Sequence, residues 1–188
     1  MKTSILIAVL FAACAAQTQT LKIITVHPDG TVPVPKGIQF LCTQNYDQQS
    51  CLHDASVLRQ ALAPYPLEQL GSWSFVLVPA DDWKNLVRSL GGDPVSPAFS
   101  LIDQHTTVMD QSLFSGSANR TKDFLRVYRL SGQPLLDLAV THEMGHGICQ
   151  EKDERRADDY GKELRDGKIP DCSKTLGRQP VAVAQNPR

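Results

Sequence analysis

The sequence predicts a small α+β domain, and three observations carry that reading. Short apolar runs bounded by Pro and Gly recur through the first two thirds of the chain. Segments of helical periodicity alternate with them and close the chain. The size, 188 residues with 41% apolar and 21% charged, suits one hydrophobic core with short appendages.

The elements follow in order. Residues 21–26 (LKIITV) and 38–41 (IQFL) read as strands, with His27-Pro28-Asp29-Gly30 as a turn between them. From residue 54 to 63, Ala55, Leu58 and Leu62 recur at helical spacing, and Pro64 and Pro66 stop that helix. Residues 73–78 (WSFVLV) form a strong strand pattern. Asp81-Asp82 then caps a helix through Trp83, Leu86, Val87 and Leu90 that ends at Gly91-Gly92. Residues 99–102 and 106–114 read as further strands, while 124–130 fits strand or helix equally. A helix spans 134–148, with Pro134 in its first turn and Leu135, Leu138, Ala139, His142 and His146 on neighbouring positions of one face. Another helix spans 153–164. The expected architecture is a mixed, mostly antiparallel sheet packed on these last two helices, with 17–172 as the folded domain and 173–188 as a flexible tail.

Charge narrows the functional classes. Lys and Arg number 19 against 20 Asp and Glu, for a net charge of −1 with no dense basic run. Binding to nucleic acid or anionic lipid by counterion release is therefore not expected, and neither is a disordered chain. Residues 1–16 (MKTSILIAVLFAACAA) have the layout of a secretory signal: Lys2, an apolar run from Ile5 to Ala13, then small residues. The run is too short for a transmembrane helix, and no other stretch approaches the ~20 apolar residues that one needs. Leu10 to Cys14 (LFAAC) resembles a bacterial lipobox with Phe11 where Leu is usual, which makes Cys14 a candidate lipid anchor; ordinary Ala-x-Ala cleavage fits as well. Either way the expected location is extracytoplasmic, secreted or periplasmic.

Removing Cys14 with the leader leaves Cys42, Cys51, Cys149 and Cys172, an even number suited to disulfides in an oxidising compartment. The expected pairs are Cys42–Cys51 and Cys149–Cys172. Asn119-Arg120-Thr121 is a glycosylation sequon, relevant only in a host that glycosylates.

The chemistry lies in His142-Glu143-Met144-Gly145-His146, an HExxH. On a helix, positions i and i+4 share a face about 6 Å apart, so both imidazoles can reach one metal ion at ~2.0 Å. Glu143 projects to the adjacent side, where a carboxylate can take a proton from activated water without itself ligating. Helical HExxH is the signature of a zinc hydrolase site. Five His and five Glu in 188 residues would give the pattern by chance about 0.003 times.

Two imidazoles leave zinc short of ligands. A third His at the HExxHxxGxxH spacing is absent, since Cys149 and Lys152 occupy the required positions. Instead Glu154-Arg155-Arg156-Ala157-Asp158 follows a seven-residue connector. HExxH followed by ExxAD resembles the gluzincin type of zinc-dependent metallopeptidase in the zincin superfamily. That resemblance covers about 25 residues, and it implies a zincin-like fold, Zn2+ held by His142, His146 and Glu154, Glu143 as general base, and Asp158 orienting a ligating imidazole. Glu151 and Asp153 are alternative ligands.

Geometry adds one demand: an unbroken helix would carry residue 154 about 12 Å past His146, so the chain must reverse. Gly147 is the expected end of the first helix and Asp153 the expected start of the second. Tyr160, His105 and Tyr128 are candidate oxyanion donors, and by analogy with zincins the 106–114 strand is the expected docking edge for a peptide substrate. Two other functions share the motif: a zinc-containing binding module without turnover, and a zinc hydrolase of a non-peptide amide or acyl substrate.

Overall fold

The computed structural model describes residues 23–27, 34–115 and 118–175. The expected leader with Cys14, the start of the first expected strand and the tail beyond 175 lie outside the described residues. Five strands form one sheet: β1 (Ile23–Val26), β2 (Ile38–Thr43), β3 (Trp73–Val78), β4 (Ala98–Leu101) and β5 (Thr106–Asp110), in spatial order β1-β2-β3-β5-β4. The helices are α1 (Gln48–Leu62), α2 (Ala80–Ser89), the single turn α3 (Ser112–Ser115), α4 (Ala118–Tyr128), α5 (Gln133–Cys149) and α6 (Glu154–Arg165). None of the described helices is long and apolar enough to cross a membrane.

The sheet is mixed, as expected for this α+β class, but its antiparallel share is half rather than most. β2 pairs with β3 and β3 with β5 in parallel, while β1 and β4 lie antiparallel at the two edges. The cause is α1, which carries the chain back from the end of β2 so that β3 starts at the same end of the sheet.

Alternation along the central strands explains their continuous apolar runs. Phe40, Cys42, Phe75, Leu77 and Met109 face a core shared with Leu58 and Leu62 of α1 and with Leu135, Leu136, Val140 and Met144 of α5. Their neighbours Leu41, Val76, Val78 and Val108 face the opposite way, onto Trp83, Leu86 and Val87 of α2. Both faces are covered, so both parities must be apolar.

Several boundaries move for local reasons. Helix α1 begins at Gln48 rather than 54 because Asp47 accepts a hydrogen bond from Ser50 N at 2.8 Å. Asp54 sits buried within that helix and accepts from the Tyr46 hydroxyl at 2.6 Å. Pro79, not Asp81, stands at the N-cap of α2, which places Asp81 and Asp82 in its first turn. The segment that fits strand or helix is helical, as part of α4. Both expected disulfides are formed, Cys42–Cys51 and Cys149–Cys172, as befits an oxidising extracytoplasmic environment.

One buried ion pair ties β5 to the segment that leads into β4. Arg120 of α4 lies 2.7 Å from Asp110, donates to the Pro94 carbonyl at 3.0 Å, and stacks 4.6 Å over the Phe124 ring. Asp110→Ala would leave a buried guanidinium without its counter-charge, at an expected cost of about 3–5 kcal/mol. Chemical denaturation measures this, and a loss under about 1 kcal/mol would contradict the assignment.

Candidate metal centre

Helix α5 follows Gly132 at its N-cap, has Pro in its first turn and buries Leu135, Leu136, Val140 and Met144 in the core. His142 and His146, one turn apart, emerge where this apolar face meets a cavity of about 470 Å³ that they line with Glu143 and Glu154. The helix does not stop at Gly147. It continues to Cys149, and the reversal is made by Gln150 in the left-handed region, φ 49°, whose N–H bonds the His146 carbonyl. Gly147 is needed for packing instead: a Cβ there would lie 2.6 Å from Leu70 Cδ2.

Glu151 then locks the turn. Its buried carboxylate accepts from Lys152 N and Asp153 N, each at 2.9 Å, and from the Arg156 guanidinium at 3.1 Å. Asp153 caps α6 by accepting from Arg156 N at 3.1 Å. The two alternative ligands are thus occupied in building the reversal, and Glu154 is the acidic residue delivered to the His pair.

Close approach of the helices completes the delivery. A Cβ on Gly145 would lie 2.6 Å from the Ala157 carbonyl oxygen, and one on Gly161 would lie 3.0 Å from His142 N. With glycine on both sides, α6 lies against α5 and places Asp158 beside the first imidazole.

Hydrogen bonding sets both tautomers. His142 Nδ1 is 2.8 Å from Asp158 Oδ1, and His146 Nδ1 is 2.6 Å from the Glu151 carbonyl oxygen. A carboxylate and a carbonyl only accept, so each Nδ1 carries a proton, and Nε2 is the ring nitrogen left to ligate a metal. Those nitrogens converge with a carboxylate oxygen: Nε2 to Nε2 is 3.1 Å, and Glu154 Oε2 is 3.1 Å from His142 Nε2 and 3.5 Å from His146 Nε2. Tetrahedral ligands at ~2.0 Å from one ion would stand about 3.3 Å apart. His142, His146 and Glu154 therefore form a group that can hold a metal ion.

Glu143 is 4% exposed, and its Oε2 has no hydrogen-bond partner. Burial pushes its carboxyl up to about 7, with a Ser100 hydrogen bond and His146 pulling down and the Glu154 charge pushing up. Glu143 thus lines the cavity beside the three ligand residues with one oxygen walled in by protein.

The expected oxyanion donors separate. Tyr128 lines a second cavity, of about 490 Å³, together with His142, Glu143 and Glu154. Tyr160 is buried at the α5–α6 contact against Gly145 and does not line either cavity. His105 stacks on Trp73 with ring centroids 5.6 Å apart and likewise lines neither. The expected docking strand is corrected: β5 lies inside the sheet between β3 and β4, its strand ends at Asp110, and the edge bordering the cavity is β4. Sequence reasoning also passed over Ser100 and Thr107, small hydroxyl residues on strands that carry no local signature of their partners.

Comparison of the chain with known protein families, curated proteins and solved structures found no match.

Glu151→Gln keeps the shape of the turn and removes its charge, for an expected loss of about 1–3 kcal/mol near neutral pH. Burial alone would raise the Glu151 carboxyl, but its bonds from Asp153, Arg156 and Lys152 outweigh that and hold it below the ordinary 4.5. Its stabilisation is present above the unfolded value and lost as pH falls through the folded one. The difference in unfolding free energy between wild type and variant should shrink on acidification; a constant difference would contradict this role.

Proposed function

We propose that the protein is an exported zinc-dependent metallopeptidase. The observation that carries the reading is the convergence of three ligand atoms, His142 Nε2, His146 Nε2 and Glu154 Oε2, with both Nδ1 atoms bonded to acceptors elsewhere. Their separations match those of ligands around one tetrahedral ion, and two imidazoles with one carboxylate suit zinc with a coordination position left for substrate. The disulfides and the signal-like first sixteen residues support export.

When bound, zinc supplies a Lewis acid that polarises the scissile carbonyl and acidifies water. Glu143 takes the proton of the attacking water and returns it to the departing amine. Asp158 and the Glu151 carbonyl hold the imidazoles in the ligating tautomer. Tyr128, whose hydroxyl is kept protonated chiefly by burial, donates to the oxyanion. The edge strand β4 offers backbone donors and acceptors to an extended peptide.

The test combines metal content by mass spectrometry with cleavage of a quenched peptide library. Wild type should hold about one zinc per chain and lose cleavage with a chelator, and Glu154→Ala should weaken zinc binding. Glu143→Gln should keep zinc and lose about 10²–10⁴-fold in kcat. Tyr128→Phe should lose about 10²–10³-fold with zinc retained. Zinc without any hydrolysis would point instead to a binding module, cleavage confined to non-peptide amides or acyl groups would change the substrate class, and no zinc would overturn the reading.

A further inference from the structure

The cavity beside the metal group has two unlike ends. At one end it adjoins the second cavity, since His142, Glu143 and Glu154 line both, and there Val127, Leu135 and Leu138 supply an apolar wall. At the other end its walls are joined: Lys152 Nζ lies 3.0 and 3.1 Å from the two carboxylate oxygens of Asp103, and both residues line the cavity. Asp103 follows β4 and Lys152 follows α5. Ser96 and Pro97, just before β4, share the second cavity with the earlier part of α5, so strand and helix run side by side and the ion pair bars the end past His146.

Strand length limits what fits before that bar. β4 has four residues, about 13 Å of strand, so an extended peptide paired along it has about one to three residues between a bond at the metal group and the ion pair.

The two partners are unequal. Asp103 has a short stem on the 3-10 turn Ile102–Gln104, which His105 N closes by donating to the Ile102 carbonyl at 3.0 Å. Lys152 is long and flexible, its side chain is 69% exposed, and a pair this open to solvent holds weakly. When the pair parts, the carboxylate keeps its place and the Lys152 ammonium swings into water. What remains is a position already fitted to an ammonium group. The other charges agree: Asp93, Glu143 and Glu154 line the cavity with Asp103, and Lys152 is the one Lys or Arg among the described residues that line it. Antiparallel pairing, the stronger kind, brings the amino end of a peptide to the end of β4, where Asp103 stands.

We propose that the site acts at the amino end of peptides, with Asp103 binding the substrate α-ammonium in place of Lys152. One ammonium replaces another, so the carboxylate keeps a counter-charge throughout. The cut then releases about one to three residues, and the chain continues toward the apolar second cavity. The proposal rests on the hydrolase reading for the cut, but the ammonium site does not.

The test compares the peptide library with free and with acetylated amino ends on the zinc-loaded, full-length protein, with products read by mass spectrometry. Acetylation should lower kcat/KM about tenfold or more, and products should lack one to three amino-terminal residues. Asp103→Asn should cause a similar loss on free amines and leave the acetylated form unchanged. Lys152→Ala, which removes the competing ammonium, should raise kcat/KM on free amines a few-fold. Equal cleavage of both forms, or dependence on a free carboxyl end that Lys152→Ala abolishes, would overturn the proposal. If wild type cleaves neither form, the hydrolase reading fails. Calorimetric titration of Glu143→Gln with an octapeptide of alanine and leucine, free or acetylated, then decides the ammonium site. Tighter binding of the free form, lost in Asp103→Asn, supports the site; equal or absent binding overturns it.

Discussion

The contact between α5 and α6 is the constraint on which the candidate metal centre depends. Two ligand atoms come from one helix turn, but the third arrives only if the chain reverses within four residues and the returning helix lies close. Gly145 and Gly161 permit that approach, Gln150 makes the turn in the left-handed region, and Glu151 satisfies the backbone N–H groups that the turn exposes. The Cys149–Cys172 disulfide joins the end of α5 to the segment that follows α6, so the reversal is covalently closed on its outer side. Charge has little part in this geometry, because Glu154 and Asp158 have largely exposed side chains, 77% and 68%. Their positions are set by backbone packing, with the imidazoles beneath them as partners.

The sheet contributes the other half of the site. Its two-faced burial fixes the central strands, and the hairpin into β5 leaves β4 as the edge along the cavity. Arg120 reaches from α4 to Asp110 and to the carbonyls before β4, so the approach to that edge is held from behind by a buried charge pair. Ser100, on the same strand, lines the cavity with Glu143.

What the sequence revealed, and what it hid, follows the range of the interactions involved. The HExxH spacing is a one-turn relation, so His142, Glu143 and His146 are legible from residues alone. The need for a reversal before Glu154 follows from helix rise, and the reversal exists, but the residue making it is Gln150 where Gly147 was expected. Glycine signals both helix ends and close packing, and only the neighbours Leu70 and Trp73 show which applies here. The docking edge was misplaced because strand order is nonlocal: β5 inserts between β3 and β4, which no local pattern encodes. The parallel centre was hidden for the same reason. Tyr160 and His105 were plausible donors by residue type, and their places at a helix contact and on the Trp73 ring depend on tertiary packing. Helix α1 starts six residues before the periodic run because Asp47 caps it, and a cap is recognised by the backbone N–H it serves and not by periodicity.

The central claim is that two imidazoles locked by their Nδ1 protons and one carboxylate share a single zinc ion. Zinc K-edge X-ray absorption fine structure on the zinc-loaded protein tests it most directly. The account predicts two imidazole scatterers with about two oxygen scatterers near 2.0 Å and no sulfur. A sulfur shell near 2.3 Å, or oxygen ligands without imidazole, would contradict it.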